Sequence, residues 1–295
     1  MGQAVDLQRI FRTFPELQAQ VTRAEAEFKV TIGKSCENIE SILRKILGTR
    51  LDEIHEQGIN KLNEIHKNNK LSVADSVLFI NKVRERAKGE IESPYRETLL
   101  SFHPEFEANP ALEFSRGYTK KYRTAEHPKA KGLDVEISIP ASWKAREGNR
   151  PNIVQFFRGQ NGYGDATLGL QIREFTPPAG MKITQKHIDA LFSPAGLKEL
   201  VGAAADVVVI ESKPIVWEGQ KGAMLVYDTV AERLDVRLKV RTLSYITLYE
   251  NRMVFLQFAI GNTEDKMNET IKEFNKNRPL FQLVANSFIL MDKYK

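Results

Sequence analysis

The chain has 295 residues, is 42% hydrophobic and 27% charged, and carries a formal net charge of +5. This is ordinary for a globular protein of one large or two ordinary domains, and it excludes a disordered low-complexity chain. No apolar run approaches the roughly 20 residues of a membrane-spanning helix, so no transmembrane segment is expected. The first 110 residues are nearly neutral and the remainder holds the positive excess, without any Lys/Arg block. A spread excess of this kind leaves no electrostatic footprint for nucleic acid. The single cysteine, Cys36, has no partner for an internal disulfide and is expected as a small core or boundary residue. The stretch from Met1 to Leu7 lacks the basic and apolar regions of a signal peptide. A native start implies the cytoplasm; a start left by signal removal implies a periplasmic or secreted protein.

Residues 1–110 are expected to form a helical domain of three to four amphipathic helices. Val5, Ile10, Phe11, Phe14, Leu17, Val21 and Phe28 recur at three- and four-residue steps, with a break at Pro15. A second pattern starts near Ser35, uses Ile39, Ile42, Leu43, Ile46 and Leu47, and stops at Gly48. A third runs from Arg50 to Asn69. A fourth opens at Ser72, with Asp75 placed for an acidic capping arrangement, and Pro94 ends or interrupts it. Within the third, Leu51-Asp-Glu-Ile-His55 recurs as Leu62-Asn-Glu-Ile-His66. Eleven residues make almost three helical turns, so the copies share a face. His55 and His66 then stand roughly 16 Å apart, too far for one metal ion, and no metal is expected.

The two prolines Pro104 and Pro110 mark a change of regime, with a sheet domain expected over 111–295. Tyr118–Arg123 reads as a short strand. Leu133, Val135, Ile137 and Ile139 alternate on one face of the next. Asn152–Arg158 and Ala166–Glu174 read as a hairpin joined by the glycine-rich loop Gly159–Gly164. That loop lacks the Gly-Lys-Ser/Thr ending of a phosphate cradle and leads into a strand. Thr176–Gly180 reads as a rigid loop, followed by a helix from Thr184 to Leu191 and another from Pro194 to near Gly202. Asp206–Trp217 reads as a strand whose Val207–Ile210 core is buried on both faces. After a turn at Glu218–Gly222 come Ala223–Val230, then one long strand from Arg233 to Glu250, a turn at Asn251-Arg252, and Met253–Ile260. Two helices close the chain, Glu264–Lys276 and Leu280–Leu290.

The strand ending in Ile-Pro-Ala-Ser-Trp143, the Trp217-Glu-Gly-Gln-Lys-Gly222 turn, the long following hairpin and the terminal Phe281-Gln-Leu-Val-Ala-Asn-Ser-Phe288 helix resemble PsbP-like proteins. The resemblance covers about residues 115–292 and extends to Mog-type Ran-binding proteins and DcrB-type bacterial proteins. It implies an α+β chain: a helical segment, then an antiparallel-sheet α/β/α sandwich, with Trp143 and Trp217 as hydrophobic landmarks. Its members act mostly by binding, among them envelope or secretion-associated adaptors, and it supplies no catalytic residues.

No Gly-x-Ser-x-Gly elbow, Cys-x-x-Cys, His-Glu-x-x-His or dinucleotide fingerprint occurs. No cofactor is expected. On the long strand, Leu234, Val236, Leu238 and Val240 line one face. Arg233, Asp235, Arg237, Lys239 and Arg241 line the other, continued by Tyr245 and Tyr249. Alternate residues lie about 7 Å apart, so Arg237, Lys239 and Arg241 form a cationic row suited to an acidic protein segment or a lipid headgroup, with Tyr245 and Tyr249 as contact area. The competing reading pairs the row with Asp228 or Glu232, or buries its stems under a helix. The chain is therefore expected to be a non-enzymatic protein-binding or adaptor protein with an acidic partner, and the resemblance points to the bacterial envelope. Its oligomeric state is open. Two alternatives stand beside it: a small-molecule hydrolase with its site between the helical segment and the sandwich, which a deep pocket holding His103 or His127 beside a carboxylate would favour, and a chaperone for apolar segments of a secreted partner. Charge reversal at Arg237 and Arg241 is expected to spare folding and weaken partner capture.

Overall fold

A computed structural model describes residues 2–67, 69–176, 184–201, 207–233 and 236–295. The chain divides into two compact units, Met1–Glu107 and Ala108–Lys295.

The first unit is helical. Helix α1 (Gly2–Thr13) ends before a short turn at Pro15–Leu17, and α2 (Gln18–Leu47) follows. The two patterns expected to be separate helices before and after Ser35 are one 30-residue helix, because no breaker intervenes and Gly33 is tolerated in its interior. Gly48, at φ 56°, turns the chain into α3 (Arg50–Lys67). Ser72 caps α4 (Val73–Lys88): its hydroxyl accepts from the Asp75 N–H at 3.1 Å. The helix stops at Gly89 (φ 80°), ahead of Pro94, which instead opens α5 (Pro94–Leu100) under a Ser93 cap. Helix α6 (Pro104–Ala108) reaches the boundary. The core of the unit is small: Leu7, Ile10, Leu17, Val21, Ala24, Ile80 and Val83. Arg84 and Glu27 tie α4 to α2 at 3.0 Å. Cys36 is exposed, which corrects its expected core or boundary placement: it lies off the buried stripe of Ile32 and Ser35.

The second unit is built on antiparallel strands. After α7 (Ala111–Ser115), β1 (Thr119–Arg123), β2 (Val135–Pro140), β3 (Lys144–Glu147), β4 (Ile153–Arg158) and β5 (Thr167–Glu174) lead to α8 (Gln185–Leu191) and α9 (Pro194–Val201). Then come β6 (Val207–Trp217), β7 (Gln220–Arg233), β8 (Val236–Tyr249), β9 (Arg252–Thr263), α10 (Met267–Asn286) and β10 (Ile289–Leu290). The main sheet has seven strands in the order β3-β4-β5-β9-β8-β7-β6, and a smaller one runs β1-β2-β10.

One face of the main sheet packs with the small sheet and α10 around Phe157, Phe258, Phe274 and Phe281. The other face packs under α8 and α9 through Phe192, Leu197, Leu225 and Ile246. This is the layered α+β arrangement expected, with helices on both faces of an antiparallel sheet. Trp217, at the end of β6, is fixed in the core on the α10 side: its Nε1–H donates to the Ala285 carbonyl at 2.9 Å, and its ring stacks on Phe288.

Several details differ from expectation. The short strand β3 follows Trp143 directly. The long hairpin divides later than expected: Arg233, expected to open the long strand, ends β7, and β8 begins at Val236, while Leu234 and Asp235 lie outside the described residues. Most of the loop expected at Thr176–Gly180 also lies outside them, as do Gly202 and Asp206, the expected helix end and strand start. The two terminal helices are one, with Pro279 inside α10. Asn277 Nδ2 donates to the Glu273 carbonyl at 2.9 Å and supports the turn ahead of the proline. The C-terminus closes back on the small sheet. Asp134, held by Arg123 in a two-point ion pair, also meets the Lys295 ammonium at 3.1 Å.

Candidate functional site: the open end of the main sheet

The five residues expected at the binding face all point to the side of β8 that α10 covers, but they do not form one surface. Tyr245 is 8% exposed, lies edge-on to Phe258 and sits 5.7 Å from the Trp217 ring. Burial pushes its hydroxyl pKa up. Tyr249 is half-buried against the same core. Arg241 turns under α10, with its guanidinium 5.9 Å from the Phe274 ring centre. It donates to both carboxylate oxygens of Asp228, at 2.8 and 2.9 Å, with side chains 13% and 8% exposed. That bidentate contact raises the Arg241 pKa. Glu at position 241 would face Asp228 as a second buried acid. Charge reversal there would therefore not spare the fold.

Arg237 and Lys239 remain at the solvent end. Arg237 is about half-exposed and meets Glu264 at 3.0 Å and Glu232 at 3.5 Å. Lys239 is half-buried and makes no ion pair among the described residues. The row thus grades from solvent to core, because β8 runs beyond the end of β6 and then passes beneath α10.

The sheet edge carries what the sequence reading missed. The run Val207–Ile210 is not buried on both faces: Val208, Val209 and Ile210 are 58%, 37% and 51% exposed. The reason is position, since β6 is the outermost strand and only β7 pairs with it. Val208 lies opposite Asp228, which lies opposite Arg241, so the exposed valine stands beside the buried ion pair. A register shift between Val209 and Glu211 bulges the strand at Ile210. The two-residue turn Glu218-Gly219, with φ of 49° and 71°, makes Trp217·Gln220 a hydrogen-bonded pair. Alternation along the ladder then directs the backbone polar groups of Ser212, Pro214 and Val216 outward. Pro214 has no N–H to offer, so between the bulge and the turn the outward donors are those of Ser212 and Val216. The signal was in the sequence: a proline within a strand run marks an edge strand.

The histidines named as catalytic candidates, and the repeat histidine His66, have local partners. His103 is 4% exposed and stacks on Phe106 in the first unit. His127 Nδ1 accepts from the Lys129 N–H at the start of a short turn. His66 pairs with Asp6 at 2.7 Å. Among the described residues, no group of three or more His, Cys, Asp or Glu is arranged to hold a metal.

No protein-family model matches the chain. No curated protein matches it. Among solved structures, the chain is similar to cyanobacterial PsbP from Synechocystis, at 18% identity and TM-score 0.35 over 59% of this chain and 92% of that one. It is similar to LpqN of Mycobacterium tuberculosis, described as involved in cell envelope biogenesis, at 10% identity and TM-score 0.34, over 59% and 92%. It is also similar to the Saccharomyces cerevisiae Ran-binding protein Mog1p, at 9% identity and TM-score 0.37, over 60% and 97%. PsbP and Mog1p are of the families that the sequence resembles; LpqN was not foreseen from it. At such identities the likeness concerns the fold alone.

Proposed function

We propose that the chain is a non-enzymatic protein-binding or adaptor protein, and that its sheet unit takes an extended acidic segment of a partner along β6. The observation that supports this is the edge itself. It is an 11-residue outer strand with Val208, Ile210 and Val216 58%, 51% and 76% exposed. An added strand gains backbone hydrogen bonds at Ser212 and Val216 and covers these apolar side chains. The cationic side comes from Arg237 and Lys239 toward the Val208 end of the edge, with Lys213 on β6 itself. The bulge and Pro214 interrupt the edge, which disfavours indiscriminate edge-to-edge pairing and leaves a short stretch for a chosen partner.

Full-length protein immobilised as bait, in wild-type form and as Val208→Lys/Ile210→Lys and Arg237→Glu/Lys239→Glu, tests the reading against lysate of the source organism. A specific protein held by the wild type and lost from both variants is the expected result. A protein held equally by all three would place the contact elsewhere.

A further inference from the structure

The first unit contains a groove that the protein-binding reading does not use. Helices α1 and α3 flank an open cleft of about 680 Å³ lined by Ala4, Val5, Arg12, Ile59, Asn63 and Lys67, among others. Its two ends differ. Asp6 meets His66 Nε2 at 2.7 Å, and the Arg9 guanidinium donates to the His66 carbonyl at 2.9 Å. The last turn of α3 therefore lies beside the middle of α1. Ala4, Val5 and Ile59 lie toward one end, and Ile59 is 40% exposed there. Arg12 and Lys67, in the last turns of α1 and α3, line the groove toward the other end. Neither makes an ion pair or side-chain hydrogen bond among the described residues. From Val5 to Arg12 the helix rises about 10 Å.

Cations in last turns also offset helix dipoles, and that alone would account for Arg12 and Lys67 on bare helices. Here Arg9 already covers the end of α3, donating to the carbonyls of both His66 and Asn69. The outward negative end that would repel an anion is thereby masked. What remains is an apolar end, a doubly cationic end, and a volume within the range of small-ligand sites.

We infer that the α1–α3 groove binds a small anionic amphiphile, an acyl chain ending in a carboxylate. The tail lies along Ala4, Val5 and Ile59, and the carboxylate sits between Arg12 and Lys67. An acidic protein helix fits less well, because its charges would be spread along the groove while the cations are gathered at one end.

Titration calorimetry of the full chain with laurate, kept below its micelle concentration, tests this. Dodecyltrimethylammonium, with the same tail length but opposite charge, serves as control. Saturable binding of one laurate and none of the cation is expected. Arg12→Glu/Lys67→Glu should weaken laurate by at least about tenfold with an unchanged far-UV spectrum. Ile59→Ser should weaken it through the tail. Absence of laurate saturation, equal binding of both amphiphiles, or unchanged affinity in the charge variant would overturn the inference. So would saturation by a short Glu/Leu helical peptide in place of laurate. None of these outcomes bears on β6.

Discussion

In the sheet unit, Phe258 stacks on Phe281 at 4.8 Å, Phe274 meets Phe281 edge-on at 6.0 Å, and all three are essentially solvent-free. In the helical unit, α2 and α3 leave Ile42, Ile46, Ile54 and Ile65 between 38% and 72% exposed. The difference follows from layering. A sheet between helices buries side chains on both faces, whereas two paired helices bury one stripe each and leave their flanks to solvent. The eleven-residue repeat makes this visible. Leu51 is 2% exposed, but Ile54 and Ile65, at equivalent positions of its two copies, are 44% and 50% exposed.

Breaking the aromatic core should give the largest effect. Phe281→Ala removes a fully buried ring from a layer that cannot collapse around the gap, and about 3–5 kcal/mol of the sheet unit's stability should go, read by denaturant unfolding. A loss well under that would mean the layer relaxes as easily as loose helices do. Arg241→Ala should cost somewhat less, about 3 kcal/mol, because Asp228 is left buried without its partner. Asp228→Asn with Arg241→Gln should recover part of it, since both charges leave together.

In the helical unit, Ser72→Ala removes one cap bond and should cost about 1 kcal/mol by the same measurement. The smallest effect concerns pH. Arg123, then Lys295, holds the Asp134 carboxyl down at about 2, against an ordinary 3.8. A depressed folded pKa stabilises above the unfolded value and is lost as pH falls through the folded one. The C-terminal closure should therefore weaken from pH near 3.8 down to about 2, by on the order of 1 kcal/mol after solvent screening. Arg123→Gln should flatten that slope.

What could be read from the sequence was mostly local. Alternation alone located β2 and the paired strands β7, β8 and β9, because a half-buried strand writes its two faces into successive residues. The cap at Ser72 and the start of α9 at Pro194 were equally legible. Strand order was not. Nothing in the run Val207–Ile210 states that no strand lies beyond it, and only Pro214 hinted at an edge. Arg241 and Arg237 look alike in an alternating row. They differ because α10, returning from thirty residues further on, covers one and not the other. Pro279 was a helix break by local rule, but tertiary packing of Phe274 and Phe281 on the sheet carries α10 through it.

The claim that a partner adds to the β6 edge is tested most directly by hydrogen exchange on the full chain, alone and with its captured partner. The amides of Ser212 and Val216 should exchange quickly in the free chain and be strongly protected in the complex, with slower exchange also spreading over 236–240. Unchanged exchange along 207–217, with protection appearing elsewhere, would contradict the account.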